Sequence, residues 1–406
     1  MVIKHRLNNG VRIVEERFPH VHSVSIGIWI LSGSRNETEK NKGISHLIEH
    51  MLFKGTEKHS AKDIAEAFDA IGSQTNAFTS KEYTCIYCRV IDHHSIYAFD
   101  LLADMFFNST FDDVELEREK KVILEEIAMT EDTPDDIIFD YLHQVIFKDH
   151  PLASPILGTE QSLLSITRED ILNYMNDFYT PDRIVISVAG NTNDQLIEHI
   201  KKTFSEMSVE KNVEDQLYQE FHSGKIEKRK ETSQAHLSLA YQGLNVGHKS
   251  LFPLLVFNNV LGGSMSSRLF QVIREEKGLS YAIFSYHSAF RDNGLLTIYG
   301  ATSPNQVDYL NEAISKILLE LKDNGITDKE LQNTIHQISG QLVLGLENPS
   351  SRMHRNGRNE LLNQPHLSID EVMKKIERVT HGEIKEIAAQ ILSTEPAMAL
   401  ILPKNV

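Results

Sequence analysis

Gly43-Ile44-Ser45-His46-Leu47-Ile48-Glu49-His50-Met51-Leu52-Phe53 carries two patterns at once. Ile44, Leu47, Ile48, Met51 and Leu52 recur at helical spacing and form one apolar stripe, so the spacing predicts an amphipathic helix over about 43–53. At 100° per residue His46, Glu49 and His50 fall on the opposite side. Two imidazoles four residues apart on one face can grip a single Zn²⁺. The carboxylate between them points at the same place and can take a proton from bound water. The plainer alternative is a solvated helix face that happens to carry two histidines.

Hydrolytic zinc sites use three protein ligands and leave one position open, so a further ligand is expected elsewhere. VELEREKKVILEEIAMT, Val114 to Thr130, follows Asp112 and Asp113 as caps and ends shortly before Pro134, which predicts a second helix. Glu119 and Glu126 are seven apart, within about 20° of each other on the helical wheel. They share a side with Leu116, Val122, Ile123 and Ile127, whereas Glu125 lies with Arg118 and Lys121 on a charged face. Carboxylates inside an apolar stripe demand a partner. Glu126 is therefore the expected third ligand, and Glu119 a nearby carboxylate that could orient a histidine or accept a proton.

A chain of 406 residues is too long for one ordinary core, and the pattern points to an internal duplication. Alternating strands stand near the start of each half, at Val24, Ile26, Ile28 and Ile30 and again at Leu237, Leu239 and Tyr241. Near each end a capped helix leads to an apolar strand, in ITREDILNYMNDFYTPDRIVISVAGN from Ile166 and VTHGEIKEIAAQILSTEPAMALILP from Val379, about 213 residues apart. The charge-dense stretch between Met207 and Glu231 reads as a linker. Two α/β domains are expected, 1–210 and 232–406, joined by 211–231. Aligning SHLIEHML with PLLVFNNVL puts Leu255, Asn258 and Asn259 where His46, Glu49 and His50 stand, so only the first domain is expected to hold metal.

A hydrophobic content of 41% is that of a globular protein, and no long uncharged apolar span or basic-then-apolar leader is evident. The expected compartment is the cytoplasm, with no membrane partner. A formal charge of −16 argues against nucleic acid. Cys85 and Cys88 have C-x-x-C spacing, which invites a redox or zinc-finger reading. They lie in TCIYCRV, a strand-like run in which residues three apart face opposite sides, and no second C-x-x-C completes a site.

H-x-x-E-H followed 76 residues after His50 by Glu126, with Glu119 seven before it, resembles the pitrilysin or insulinase family of zinc peptidases, over nearly the whole chain. Including GISHLIEHMLFKGT from Gly43 to Thr56, the chain is similar to the short branch that holds the mitochondrial processing peptidase β subunit and its bacterial relatives. The resemblance implies one Zn²⁺ per chain on His46, His50 and Glu126, replaceable by Co²⁺ or Mn²⁺, with Glu49 as general base. It implies an α+β fold of two homologous sandwich domains, mostly antiparallel sheet with helices packed on it, forming half of a clamshell. The second domain would close a substrate chamber.

Asn76-Ala77-Phe78-Thr79 resembles the family's edge strand, on which extended peptide substrate is laid. Arg274 and Tyr281, in GGSMSSRLFQVIREEKGLSY, resemble the pair that stabilises the substrate carbonyl and the tetrahedral intermediate. Larger members have four such domains, so a homodimer is implied, with Arg274 and Tyr281 reaching the partner's site. The expected activity is zinc-dependent endopeptidase cleavage of unfolded peptides or presequence-like segments. A non-catalytic peptide-binding or scaffold subunit is the alternative. Replacing Cys85 and Cys88 together with Ser should leave peptide turnover unchanged, measured side by side with wild type. Lost turnover in a folded protein would revive the redox reading.

Overall fold

The computed structural model describes residues 2–208 and 220–404. Eleven strands form two sheets among these residues. In the first half they are β1 (Val2–Arg6), β2 (Arg12–Arg17), β3 (Ser23–Ile30), β4 (Gln74–Thr79), β5 (Thr84–Ile91) and β6 (Ile184–Gly190). In the second they are β7 (Gly224–Lys230), β8 (Ala235–Gln242), β9 (Ile283–Ala289), β10 (Gly294–Thr302) and β11 (Ala397–Pro403).

The two sheets repeat one topology. The first has the order β1-β2-β6-β3-β5-β4 and the second β7-β11-β8-β10-β9. In each, the strand after the late capped helix inserts between an outer strand, to which it is parallel, and a central strand, to which it is antiparallel. Each central strand then continues antiparallel through a neighbour to the sheet edge. This is the α+β duplication that the helix–strand repeat predicts, with β1 as an addition to the first copy.

The chain packs as two compact units, each discontinuous in sequence. Residues 2–127, 154–208 and 345–366 form the first, and residues 128–153, 220–344 and 367–404 the second. This differs from the continuous division at 1–210 and 232–406. The reason is a pair of displaced helices: Pro134–Phe147 packs on β7, β8 and β11, whereas Pro349–Leu361 packs on β2, β3 and β6. Of the expected linker, 211–219 lie outside the described residues. Gly224–Lys230 is a strand, β7, paired in parallel with β11.

Displaced helices explain why β3 is buried along nearly its whole length. Val24, Ile26, Ile28 and Ile30 face the main core of the first unit, where Ile44, Leu47, Ile48 and Met51 of the motif helix meet Leu116 and Ile123 of the helix Asp113–Glu131. Trp29 faces the other side, against Met353 and Leu361. Cys88 lies in the first cluster and Cys85 in the second, both free and buried. Burial pushes the Cys88 thiol up to about 12 and raises that of Cys85, so neither is a ready nucleophile. No helix among the described residues is long and apolar enough to cross a membrane.

The close approach of helix Pro349–Leu361 to the sheet depends on a missing side chain. A Cβ at Gly357 would overlap the Trp29 indole. Gly357→Ala is expected to cost about 1–3 kcal/mol through overpacking, read as a lower denaturant midpoint. An unchanged midpoint would show that the helix can lift without loss.

Candidate metal centre

The motif helix spans Ile44–Met51, and its start is built for precision. Gly43 takes φ +90°, in the left-handed region that favours glycine. The buried Glu37 carboxylate then accepts the backbone N–H groups of Gly43 (2.8 Å) and Ser45 (2.9 Å), which the first turn of a helix leaves without partners. Burial pushes the Glu37 carboxyl up to about 7, against these donors, which favour the charged form. The helix Asp113–Glu131 runs where the sequence places it, with Leu116, Glu119 and Ile123 buried. Val122, expected in its apolar stripe, is exposed.

These two helices bring five of the expected residues together. One ligating atom each from His46, His50 and Glu126 lies within 4.8 Å of the others. Glu126 Oε2 is 3.9 Å from His46 Nε2 and 3.7 Å from His50 Nε2. Donors about 2.0–2.2 Å from a shared ion stand slightly closer than this, so small side-chain movements suffice and the residues fit a divalent cation. The far side of His50 is held by Glu119, whose Oε1 is 2.8 Å from Nδ1. A carboxylate behind an imidazole fixes its tautomer and leaves Nε2 free to ligate. Burial, with His50 beside it, pushes the His46 imidazole down to about 4, and its Nδ1 has no hydrogen-bond partner among the described residues.

Glu49 faces the same region and touches the edge strand. Its Oε2 accepts the Thr79 hydroxyl of β4 at 2.5 Å. Burial raises the Glu49 carboxyl above its ordinary value, partly offset by that hydroxyl and by His50. Asn76 is exposed and its Oδ1 accepts the Ala77 N–H. Phe78 lies among the rings of Trp29, Tyr83, Tyr87 and His354. The structure thus puts Asn76, Ala77, Phe78 and Thr79 on an edge strand and Thr79 directly on Glu49.

Arg274 and Tyr281 belong to the second unit. They are paired with each other there, the guanidinium 4.3 Å from the Tyr281 ring centroid. Arg274 lies in the last turn of a π-helical segment, Leu269–Glu276, and Tyr281 is 78% exposed. In the same unit the counterpart of the motif helix, Leu251–Leu261, is neutral. Asn258 Oδ1 accepts the Ser285 hydroxyl of β9 (2.8 Å), and Asn259 Oδ1 the Thr334 hydroxyl (3.4 Å). Those pairs mirror Glu49 with Thr79 and His50 with Glu119.

Two residues of the centre carry no signal in the motif itself. Lys54 places Nζ 2.7 Å from Glu119 Oε2, and Glu37 caps the motif helix from six residues upstream of Gly43. Lys54 sits inside GISHLIEHMLFKGT, but nothing in the local period says which carboxylate it meets.

A duplicated α/β fold with a metal-competent His–His–Glu triad in one copy is the build of a metalloprotease. The family model of insulinase (peptidase family M16) matches residues 12–160, and that of the M16 inactive domain matches residues 165–338. The uncharacterized zinc protease YmxG of Bacillus subtilis is 51% identical over 405 residues, covering 100% of this chain and 99% of the relative. An uncharacterized zinc protease of Streptomyces coelicolor is 37% identical, covering 98% and 88%. Among solved structures, a protease from Helicobacter pylori superposes with a TM-score of 0.93 at 20% identity, covering 99% of both chains. A peptidase M16 inactive domain from Pseudomonas fluorescens gives 0.92 at 19% identity, covering 100% of this chain and 98% of that one. The chain belongs to the insulinase family, peptidase family M16.

Glu37→Ala strips the acceptor from two backbone donors beneath the metal-binding face. It should cost roughly 1–3 kcal/mol for each donor left buried, measured by chemical denaturation. A variant as stable as wild type would mean that water replaces the carboxylate.

Proposed function

We propose that the chain is a zinc-dependent endopeptidase acting on unfolded peptides or presequence-like segments. The observation that carries this is the convergence of His46, His50 and Glu126 within 4.8 Å, with Glu49 beside them and hydrogen-bonded to an edge strand. His46, His50 and Glu126 would hold the zinc, with cobalt or manganese as substitutes. A divalent cation there supplies positive charge that acidifies water and polarises a carbonyl. The zinc-protease names of the relatives support this choice of metal and reaction.

Each residue then has a definite task. Glu49 accepts the proton of the attacking water and delivers it to the leaving amine. Glu119 acts through His50 and is a positioning residue. The open edge of β4 takes an extended peptide by backbone pairing, which selects unfolded segments over folded ones. Thr79 links that edge to the base.

Arg274 and Tyr281 stabilise the carbonyl oxygen as charge develops on it. Their stacking pre-orients the guanidinium and leaves Tyr281 exposed to meet a substrate. In this reading two copies of the chain enclose a chamber, and Arg274 and Tyr281 of one copy serve the site of the other.

The test is cleavage of an unstructured quenched fluorescent peptide. Glu49→Gln should lower kcat by roughly 10²–10⁴-fold with zinc content unchanged. A chelator should abolish wild-type turnover and added zinc restore it. A Glu49→Gln protein as fast as wild type would refute the mechanism.

A further inference from the structure

Glu119 is the most demanding charge in the centre. Its side chain is 6% exposed and it makes two close contacts, Oε1 with His50 Nδ1 at 2.8 Å and Oε2 with Lys54 Nζ at 2.7 Å. The two partners are not equivalent. An imidazole that ligates a cation through Nε2 is neutral, so it can donate Nδ1–H to Glu119 but cannot offset its charge. Burying a carboxylate without a countercharge is costly, and turning it outward to water relieves that cost. Such a turn would release His50.

Lys54 is well placed to prevent this. It follows the motif helix directly, and its N–H donates to Met51 O (3.0 Å). Beyond it Gly55 accepts the Thr110 N–H (3.2 Å), and Thr56 donates to His59 O (2.8 Å). The backbone on both sides is thus fixed. Only the aliphatic stem of the lysine has to be ordered, and its side chain is 30% exposed. The ammonium reaches the carboxylate oxygen that His50 does not use.

We propose that Lys54 is a positioning residue for the metal centre: its ammonium is the counter-ion of Glu119 and thereby holds the His50 ring in the tautomer and orientation that present Nε2. This rests on the metal-binding reading above, and it assigns a cationic third member to the His50–Glu119 pair. Lys54 pairs with Glu119 and with none of the side chains of His46, His50 and Glu126 among the described residues, so its effect passes through Glu119.

The experiment measures zinc affinity by competition with a fluorescent chelator for wild type, Lys54→Met, Lys54→Arg, Glu119→Gln and the Lys54→Met/Glu119→Gln double variant. Circular dichroism of each metal-free protein checks folding. Loss of a group that orients a metal ligand typically weakens binding 10–100-fold, and that is the expected rise in Kd for Lys54→Met. Lys54→Arg should bring it back toward wild type. In the Glu119→Gln background Lys54→Met should add nothing, because the lysine has no carboxylate left to hold. If Lys54→Met does not fold, Lys54→Gln, polar and uncharged, takes its place.

Unchanged or tighter zinc binding in Lys54→Met would overturn the proposal, as would an equal loss in both backgrounds. Nitrogen NMR of the His50 imidazole in metal-free protein supplies a readout independent of zinc. The proton should sit on Nδ1 in wild type and be shared between the two nitrogens in Lys54→Met. A wild type that takes up no zinc would refute the proposed function, and the NMR comparison would still decide Lys54. An identical tautomer in both proteins would overturn its role.

Discussion

Three carboxylates, Glu49, Glu119 and Glu126, converge on two imidazoles between a pair of packed helices, and the need to balance that charge governs the first unit. Lys54 offsets one of the three. Burial holds the His46 imidazole down to about 4, and neither Glu49 nor Glu126 has a lysine or arginine partner among the described residues, which leaves a deficit of positive charge. A divalent cation matches that deficit in charge, and the His46, His50 and Glu126 atoms match it in spacing. At an effective dielectric of about 20, unit charges 4 Å apart interact by about 4 kcal/mol. That exceeds a typical hydrogen bond, so balance of charge, not hydrogen bonding, decides which ligand set the pocket favours. The apolar faces of both helices supply the rigidity. Leu47, Ile48, Leu116 and Ile123 lock the backbones together beneath the charged side chains.

The second unit shows what the same architecture looks like without the charge. Its sheet repeats the strand order and its motif-helix counterpart repeats the contacts to an edge strand and to a neighbouring helix. Asn258 with Ser285 and Asn259 with Thr334 are neutral pairs that satisfy each other. A self-satisfied set of amides and hydroxyls has no deficit for a cation to fill. Duplication therefore leaves the two units with different charge: the first holds a frustrated cluster of carboxylates, and the second holds neutral pairs at the matching positions.

Much of this was legible from residue spacing. The two helices, the side of each that carries His46, His50 and Glu126, the pairing of Glu119 with Glu126, and the repeat of about 213 residues all follow from periods of 3.6 and 2. Cys85 and Cys88 separate into different cores because three residues of strand reverse the facing direction. Periodicity does not say which partner covers a face. The helices Pro134–Phe147 and Pro349–Leu361 each attach to the sheet of the other half's strands, which depends on tertiary packing and not on local period. Gly224–Lys230 read as linker because an edge strand with a solvated face is rich in charge, which is also what keeps such an edge from pairing further. Lys54 and Glu37 were invisible for a related reason: a long side chain and a loop carboxylate choose partners that only the folded chain brings near.

Glu49, the proposed base, and β4, the proposed peptide-binding edge, are not independent parts. Thr79 ends β4, and the tip that follows it, Ser80 to Tyr83, is fastened to the loop before the motif helix. Ser34 and Arg35 donate backbone N–H groups to Ser80 O and Lys81 O, and the Arg35 guanidinium meets Glu82 at 2.7 Å with both side chains almost fully buried. A buried ion pair is a poor means of gaining stability, since desolvation cancels most of the attraction. Its strength is that only one arrangement satisfies both charges. Here that arrangement sets where β4 ends relative to Glu37, Gly43 and the start of the motif helix. A displacement of about 1 Å at a reacting group can cost on the order of 10²-fold in rate. Specificity of position is thus worth more at this hairpin than added stability, and the 2.5 Å contact between Thr79 and Glu49 is where that specificity reaches the Glu49 carboxylate.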